Sequence, residues 1–288
     1  MLTNLETLVE LARTGTMQET ATKLKISQSA VSKRINAISK YYDRQVIEKH
    51  GRRVELTAHG QQLVDRVGPL IQEVRTVFLE DNALRQGRIV VGVSEAILSS
   101  WGSKMFAKIQ HELPEVEFEF HTQRSPVVLD RIRSGELMVG LCTGSADAET
   151  DVQSTLVGLE EMVIIPSHSE SVNYKVGEPL DVITIESRSG AWASIEEQMQ
   201  VLQLKRTTSL ESFFAVAQMA IAGFGHGLVP YGVARSLNLT DRQLVKLGDA
   251  GLNRPVRFVA RKSMYSRPLI KSFYDLIHGF TADALAWK

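Results

Sequence analysis

The sequence predicts a chain of two parts: a small all-α head with a basic hairpin and one long helix, and a larger α/β domain built as two lobes. Three observations predict this fold class. The 288 residues are enough for two ordinary domains. Helical periodicity fills most of residues 1–87. From Arg88 onward, strand patterns and helix patterns alternate.

The start of the head shows the spacing of one helix face, at Leu5, Leu8, Val9 and Ala12. Gly15 ends this first helix. Thr16 is a suitable N-cap for a second helix over 17–24, and Ser27 for a third that runs to about Tyr42. Two residues separate these helices, so they must cross at a steep angle. The spacing predicts a helix-turn-helix, whose second member lies in the major groove of DNA.

The polar face of the third helix suits nucleic acid. An amide such as Gln28 can pair bidentately with adenine, the small hydroxyls of Ser29 and Ser32 allow close approach to the groove, and Lys33 and Arg34 can neutralise phosphates. The alternative is a solvated polar helix face. The net charge of the whole chain is zero, but the stretch 23–53 holds nine basic residues and two acidic ones. The positive charge is therefore concentrated on the head.

A short hairpin follows the third helix, with a tip at Gly51 between the apolar pairs of 46–47 and 54–56. Arg52 and Arg53 at this tip can follow the DNA backbone or enter the minor groove. We interpret residues 1–60 as a winged helix-turn-helix DNA-binding domain. A charged turn without a nucleic-acid role is the alternative.

A long helix is predicted from Thr57, its N-cap, to about residue 84, within a linker at 58–87. Its apolar positions form an a/d seam, in steps of four and three up to Val77 and then one step of seven across Asp81: Leu63, Val67, Leu70, Val74, Val77 and Leu84. Such a seam pairs with another helix, most simply its copy in a second subunit, and this predicts a homodimer. The alternative is that the seam packs within its own domain.

The remainder, 88–288, predicts a mainly parallel sheet with helices on both faces. A first set of strands and helices covers 88–142, and a second begins at the strand 162–166. We expect lobe I at about 88–161 and 266–288, and lobe II at about 162–265, with a cleft between them. Ligands in such sheets bind where the carboxyl ends of the strands meet.

Three blocks resemble the LysR-type transcriptional regulators: Ser27-Gln28-Ser29-Ala30-Val31-Ser32, Gly51-Arg52-Arg53-Val54-Glu55-Leu56-Thr57-Ala58-His59-Gly60, and Gly223-Phe224-Gly225-His226-Gly227-Leu228-Val229-Pro230. The resemblance implies a winged helix-turn-helix, a linker-helix dimer and an effector domain like a periplasmic binding protein, often in a dimer of dimers. It also implies a pseudo-palindromic promoter site, a small-molecule effector, contact with RNA polymerase and no catalysis. Ser29 departs from the proline that is frequent there, and Ala96 from serine or threonine.

The strand ends predict the residues of the effector cleft: Ser94, Ser99, Ser100, Gln123, Arg124, Thr143, Arg188, Ser189, Thr208, Ser209, Phe224 and His226. Arg124 and Arg188 are the candidate partners of a carboxylate, because a guanidinium holds two oxygens at once. We therefore expect a polar or anionic metabolite.

Several classes are disfavoured. The single cysteine, Cys142, excludes an internal disulfide, and the scattered histidines form no HxxxH or HxH pair, so no metal or other cofactor is expected. Glu6 and Glu10 stand where a secretory signal would be basic and then apolar, and no apolar run approaches membrane length. We expect a cytoplasmic protein without membrane contact.

Other interpretations stay open. The segment from Gly92 to Ala96 resembles a nucleophile elbow without its final glycine, and no spacing names a base for Ser94. Cys142 is either a small core residue or a redox sensor. His226 is either a structural histidine or a proton switch. The alternative function is a cytoplasmic solute-binding protein with no DNA role.

Overall fold

The computed structural model describes residues 1–51, 53–80, 87–143, 151–167, 174–175, 177–247 and 251–285. The chain divides into two units. The first is Met1–Asn82 with the short segment Arg133–Glu136, and the second is the rest of the chain from Ala83. Among the described residues, the longest helices are too polar or too short to cross a bilayer.

The N-terminal unit has the predicted helices and hairpin: α1 (Leu2–Thr14), α2 (Met17–Leu24), α3 (Gln28–Tyr42), β1 (Ile47–His50), β2 (Arg53–Leu56) and α4 (Ala58–Glu80). Its core is formed by the apolar faces of the first three helices, with Leu8, Leu11, Val31, Ile35 and Ile38 buried. Two predicted caps are present. The Oγ1 of Thr16 accepts from the Glu19 amide at 3.2 Å, and the Oγ of Ser27 accepts from the Ala30 amide at 3.1 Å.

The hairpin and the linker helix are both fixed to the helical core. The Val54 amide donates to the Gly15 carbonyl at 2.8 Å, which ties β2 to the turn between α1 and α2. The Thr57 hydroxyl accepts from the Gly60 amide at 3.0 Å and donates to the Gln45 carbonyl at 2.7 Å, so the predicted cap of α4 is present. The winged helix-turn-helix is therefore one packed body.

In the described part of the second unit, one sheet of nine strands extends through two lobes. Lobe I holds β3 (Gly87–Ser94), β4 (Val116–Gln123) and β5 (Val139–Cys142), with α5 (Glu95–Ile97), α6 (Ser103–Glu112) and α7 (Ser125–Arg133). Two strands cross between lobes: β6 (Val152–Ile165) and β11 (Asn253–Arg261), the latter followed by α11 (Lys262–Tyr265) and α12 (Pro268–Leu285). Lobe II holds β7 (Leu180–Ile185), α8 (Trp192–Val201), β8 (Leu204–Leu210), α9 (Phe213–Ile221), β9 (His226–Pro230), α10 (Tyr231–Ser236) and β10 (Val245–Lys246).

The sheet is mixed, and this corrects the expectation of a mainly parallel one. The strand order is β4-β3-β5-β11-β6-β9-β7-β8, and β10 pairs with β6. Pairs within each lobe's centre, β3 with β4 and β5, and β7 with β8 and β9, are parallel. The crossing strands pair antiparallel with each other, and β11 with β5 and β6 with β9 are antiparallel as well.

The crossing strands also differ from the predicted lobe limits near 161 and 265. β11 pairs with β5 of lobe I through Arg257 to Ala260, so this part of the strand lies in the first lobe, whereas the sequence places it in the second. β6 is continuous from Val152 to Ile165; its residues 152–161 pair with β11 and its residues 162–165 pair with β9. Each lobe has its own buried apolar cluster on its side of these strands.

The helical segment after β3, from Glu95 to Glu112, is not one regular α-helix. The segment Leu98–Gly102 forms a π-helical turn, and Ser100 has φ −112° and ψ −107°, outside helical values. The Ser100 hydroxyl donates to the Ala96 carbonyl, which competes with the regular helical hydrogen bonds. Trp101, in the same turn, is buried.

Candidate functional site

The exposed face of α3 is the candidate nucleic-acid interface of the N-terminal unit. Gln28, Ser29 and Lys33 are exposed, and Ser32 is half-buried beside them. The Ser29 hydroxyl lies 2.9 Å from that of Ser27, so it also supports the start of the helix. The opposite face of α3 is fully buried in the core. These four polar side chains are therefore presented together on the side that solvent reaches.

Arg34 occupies a different place from the one predicted for a phosphate contact. It is half-buried and donates from Nη1 to the Thr7 hydroxyl of α1 at 3.2 Å. Arg34 is one residue further round the helix than Lys33, toward the core, and this rotation points it at α1. Its role in the structure is to join α1 to α3.

The hairpin tip is compact and exposed. His50 pairs with Arg53 across the end of the two strands, and Gly51 at the turn has φ 64°, a left-handed conformation that glycine adopts without strain. Arg53 is exposed. Arg52 lies outside the described residues.

The linker helix divides its apolar residues between two environments. Leu63 packs against the core of the head, which is the alternative considered for the seam. Leu70 and Val74 are 57% and 39% exposed, although both are large and apolar. The side chain of Val77 and all of Leu84 lie outside the described residues. Leu70 and Val74 therefore form an exposed apolar surface of the kind that a second helix can cover.

The second unit has a small open cavity of about 50 Å³ at the carboxyl ends of its parallel strands, as expected for this topology. Four predicted residues line it, and each is at the end of a different strand or in the turn after it: Ser94 (β3), Arg124 (β4), Thr143 (β5) and Ser189 (after β7). The other residues of its wall are Glu95, Ala96, Ser125, Ile185, Gly190, Ala191, Glu211, Phe213 and Arg254.

The remaining predicted residues do not line this cavity. Thr208 and Ser209 lie inside β8, which continues to Leu210, so the strand end brings Glu211 and Phe213 to the cleft instead. Phe224 and His226 precede or begin β9, which runs parallel to β7, so they lie at the opposite edge of the sheet. The His226 Nδ1 accepts from the Ser167 amide at 3.0 Å and supports a turn there.

Ser99, Ser100, Gln123 and Arg188 also lie away from the wall. Ser99 is exposed on the π-helical turn, and the Ser100 hydroxyl is bonded to backbone carbonyls. Gln123 pairs in register with Ser94 but is not part of the cavity wall. Arg188 is exposed on the turn after β7. Only some residues near a strand end turn toward the cleft, because successive side chains of a strand face opposite sides.

Both arginines of the cavity wall, Arg124 and Arg254, form ion pairs with glutamates of the chain. The Arg124 Nη1 is bonded to a carboxylate oxygen of Glu186 and lies 3.7 Å from Glu211. Since Arg124 follows β4 and both glutamates follow strands of lobe II, this ion pair crosses the cleft. Arg124 is therefore not the open carboxylate partner that the sequence predicts.

Arg254 is buried, and its partner Glu160 is fully buried. The Glu160 Oε2 accepts from the Arg254 Nε at 2.9 Å and Nη2 at 2.6 Å, and its Oε1 accepts from the Trp101 indole at 3.1 Å. The guanidinium also lies 5.1 Å from the ring centre of Phe213. This network joins both crossing strands to residues of each lobe directly behind the cavity.

The described residues provide neither a base beside Ser94 nor a cluster of metal ligands. Ser94 has no hydrogen-bond partner for its hydroxyl there, so no base activates it. Within the described ranges, no three His, Cys, Asp or Glu side chains come together to hold a metal ion. Cys142 is fully buried, whereas a redox sensor needs an accessible thiolate.

Comparison with known proteins gives matches over both units. Residues 2–61 match the family model described as "Bacterial regulatory helix-turn-helix protein, lysR family", and residues 82–281 match that of the LysR substrate binding domain. A HTH-type transcriptional regulator of Vibrio cholerae serotype O1 is 25% identical, over 99% of this chain and 98% of its own.

Two solved structures illustrate the likeness of fold. Full-length OxyR from Pseudomonas aeruginosa has a TM-score of 0.74 and 15% identity, covering 100% of this chain and 98% of its own. Full-length CbnR in complex with its target DNA has a TM-score of 0.64 and 14% identity, covering 97% of this chain and 99% of its own. At these identities the similarity concerns the fold.

Proposed function

The chain belongs to the LysR family of bacterial transcriptional regulators, with a DNA-binding domain and an effector-binding domain, and from this premise we propose how it binds DNA and where its effector binds. Two copies bind one pseudo-palindromic duplex site through α3 and the hairpin. A small polar molecule bound between the lobes changes that binding. The observation that carries the proposal is the exposed polar face of α3, which follows a tight turn and is backed by a buried core.

Each residue of the DNA-binding face has a role in this proposal. Gln28 reads a base edge, Ser29 and Ser32 allow the helix to approach the groove, and Lys33 neutralises a phosphate. Arg53, with Arg52, contacts the backbone or the minor groove beside it. Arg34 supports the position of α3 through Thr7. Phosphate contacts supply most of the affinity, and base contacts supply the sequence choice.

The exposed apolar residues of α4 support a homodimer. Leu70 and Val74 are four positions apart, so they lie on one face of the helix, where a second copy can cover them. Two heads held in this way read two half-sites related by two-fold symmetry. Pairing of two dimers into a tetramer is the further step that the family resemblance implies.

Effector binding acts on the angle between the lobes. The cavity is bounded by strand ends of both lobes, and the Arg124–Glu186 ion pair crosses it, so a ligand there has different contacts in open and closed states. In a dimer of dimers, this change alters the spacing of the heads and the bend of the DNA, and with it the recruitment of RNA polymerase. A chain that binds bacterial promoter DNA acts in the cytoplasm.

The direct test selects duplex fragments of the source genome with the purified full chain and then footprints the best fragment. We expect protection of two half-sites with two-fold symmetry, and a dimer or tetramer in sedimentation. A monomer that protects no fragment at low salt would refute the proposal. It would favour the alternative of a solute-binding protein with no DNA role.

A further inference from the structure

We propose that the effector is a small cation, carrying an ammonium or guanidinium group on a short aliphatic stem. This inference rests on the proposed function of the cleft as the effector site. It replaces the anionic ligand expected from Arg124 and Arg188. Three independent features of the cavity carry it: its charge, one buried hydroxyl without a partner, and its apolar wall.

The charge of the cleft is negative once its ion pairs are counted. Arg254 is neutralised by Glu160, and Arg124 is neutralised by Glu186. Among the described residues, the ion-pair contact of Glu211 is the one at 3.7 Å with Arg124, which Glu186 already holds. Glu95 is half-buried on the cavity wall and has no ion-pair partner in the part of the chain the structure describes.

Two carboxylates therefore remain without a full counter-charge. Because both arginines of the wall are already paired with carboxylates, this excess negative charge attracts ions of the opposite sign. An anionic ligand would have to displace a glutamate from one of the arginines. The chain also shows the complementarity itself, because it already places its own guanidinium, that of Arg124, between Glu186 and Glu211.

Ser94 supplies a specific hydrogen bond. It is 6% exposed, lines the cavity, and its Oγ has no hydrogen-bond partner among the described residues. The other hydroxyls of the wall already form hydrogen bonds. The Oγ of Ser125 is hydrogen-bonded to the Oγ1 of Thr143 at 3.0 Å, and the Ser189 Oγ accepts from the Trp192 amide at 3.1 Å. A buried hydroxyl without a partner is costly, and a polar group of the ligand that bonds it removes that cost; the hydroxyl can donate or accept, so the charge of the cleft and not Ser94 decides the sign of the ligand. Ammonium and guanidinium groups are donors only.

The rest of the wall is apolar and limits the ligand to a short stem. Ile185, Ala191, Ala96 and Phe213 form this part of the cavity, and Gly190 adds no side chain. Methylene groups gain from contact with such a surface, whereas a charged group of either sign loses solvation there unless it is paired. Together with the unpaired carboxylates of the cleft, this favours an aliphatic amine or guanidine over a dicarboxylate of the same length.

The test uses three probes with the same four-carbon chain, measured by isothermal titration with the full chain without DNA. The probes are putrescine, 1,4-butanediol and succinate. We expect putrescine to bind and the diol to bind at least tenfold more weakly, with no heat from succinate. Preference for succinate, equal binding of the diamine and the diol, or binding of none of the three would each overturn the proposal.

Variants locate the site. Glu95→Gln should weaken putrescine binding about tenfold or more, because it removes a charged acceptor. Glu197→Gln, an exposed position of α8 that is not part of the cavity wall, is the matched control and should leave the affinity unchanged. An unchanged affinity of the Glu95 variant would contradict the assignment.

Ser94→Ala separates ligand binding from folding. Because the Oγ has no partner among the described residues, its removal should leave the melting temperature unchanged or raise it, while putrescine binds several-fold more weakly. Unchanged affinity would overturn the role of Ser94. A gel shift on the same samples separates the two proposals. A chain that binds DNA but selects succinate refutes only the cationic effector, and one that binds putrescine but no DNA refutes only the proposed function.

Discussion

The buried ion pair behind the cleft predicts a large loss of stability when Glu160 alone is changed. In Glu160→Gln the side chain keeps its size but loses its charge, and it offers one acceptor oxygen where three donor hydrogen bonds now end. Arg254, which is 1% exposed, is left as a charge without a counter-charge. Breaking one partner of such a pair costs about 3–5 kcal/mol.

The paired substitution is the informative comparison. Glu160→Met with Arg254→Met removes both charges and keeps similar volume, so it should cost clearly less than Glu160→Gln; the Trp101 indole, left without its acceptor, should limit the cost of the double variant to about 1–3 kcal/mol. Glu161→Gln, at the half-exposed neighbouring position, is the control and should change stability by no more than about 0.5 kcal/mol.

Urea unfolding followed by tryptophan fluorescence measures these changes in one domain. All three tryptophans, at positions 101, 192 and 287, belong to the second unit, so the signal reports that unit alone. A cost below about 1 kcal/mol for Glu160→Gln, or a double variant as unstable as the single one, would refute the reasoning.

Three further predictions follow from packing, ionisation and exposure. A Cβ on Gly60 would lie 1.9 Å from the Val46 carbonyl oxygen, so Gly60→Ala should destabilise the head by about 3 kcal/mol and abolish gel shifts. Gly279 is an exposed position of α12 with open space around it, so the control Gly279→Ala should stabilise the protein by about 0.5–1 kcal/mol in thermal melts. Burial raises the pKa of Tyr265 to about 12 from 10.0 and favours its neutral form in the fold, so stability should fall as pH rises from 10.0 to 12. The fall should be smaller in Tyr265→Phe, with a remainder from Tyr174 and Tyr231, whose pKa values burial also raises; an equally large fall in this variant would refute the assignment. Leu70→Glu should weaken self-association at least tenfold in sedimentation, and an unchanged dimer would exclude this face of α4.

The head could be predicted from sequence because its signals are local. The caps Thr16, Ser27 and Thr57 each bond an amide three residues further on, within the same helix start. The limits of α2 agree with the predicted 17–24. Sequence predicts a side chain's contacts less well where tertiary packing determines them. Arg34 is an example, because its partner Thr7 is 27 residues away.

The cleft was predicted in position but only partly in composition. The rule that ligands bind at carboxyl ends of parallel strands leads to Ser94, Arg124 and Thr143, and these three residues line the cavity; that an effector binds there stays a prediction. It missed Glu211, because the polar end of β8 gives no signal that the strand continues to Leu210. It also missed Arg254, because β11 pairs antiparallel with strands far away in sequence.

Charge pairing across the cleft depends entirely on such distant contacts. Arg124 and Glu186 are 62 residues apart and belong to different lobes. A lone arginine at a strand end therefore predicts a carboxylate contact but does not say whether the carboxylate is the ligand's or the protein's own.

The salt dependence of operator binding tests the central claim most directly. On the fragment that the full chain selects, log K should fall linearly with log[salt], and Lys33→Ala should reduce the slope by about one while weakening all duplexes alike. Gln28→Ala should keep the slope and lose about 1–3 kcal/mol of discrimination between that fragment and a scrambled one. Lys104→Ala, exposed on the effector domain, should change neither quantity. Wild-type slope in the Lys33 variant together with wild-type discrimination in the Gln28 variant would show that α3 does not read the DNA.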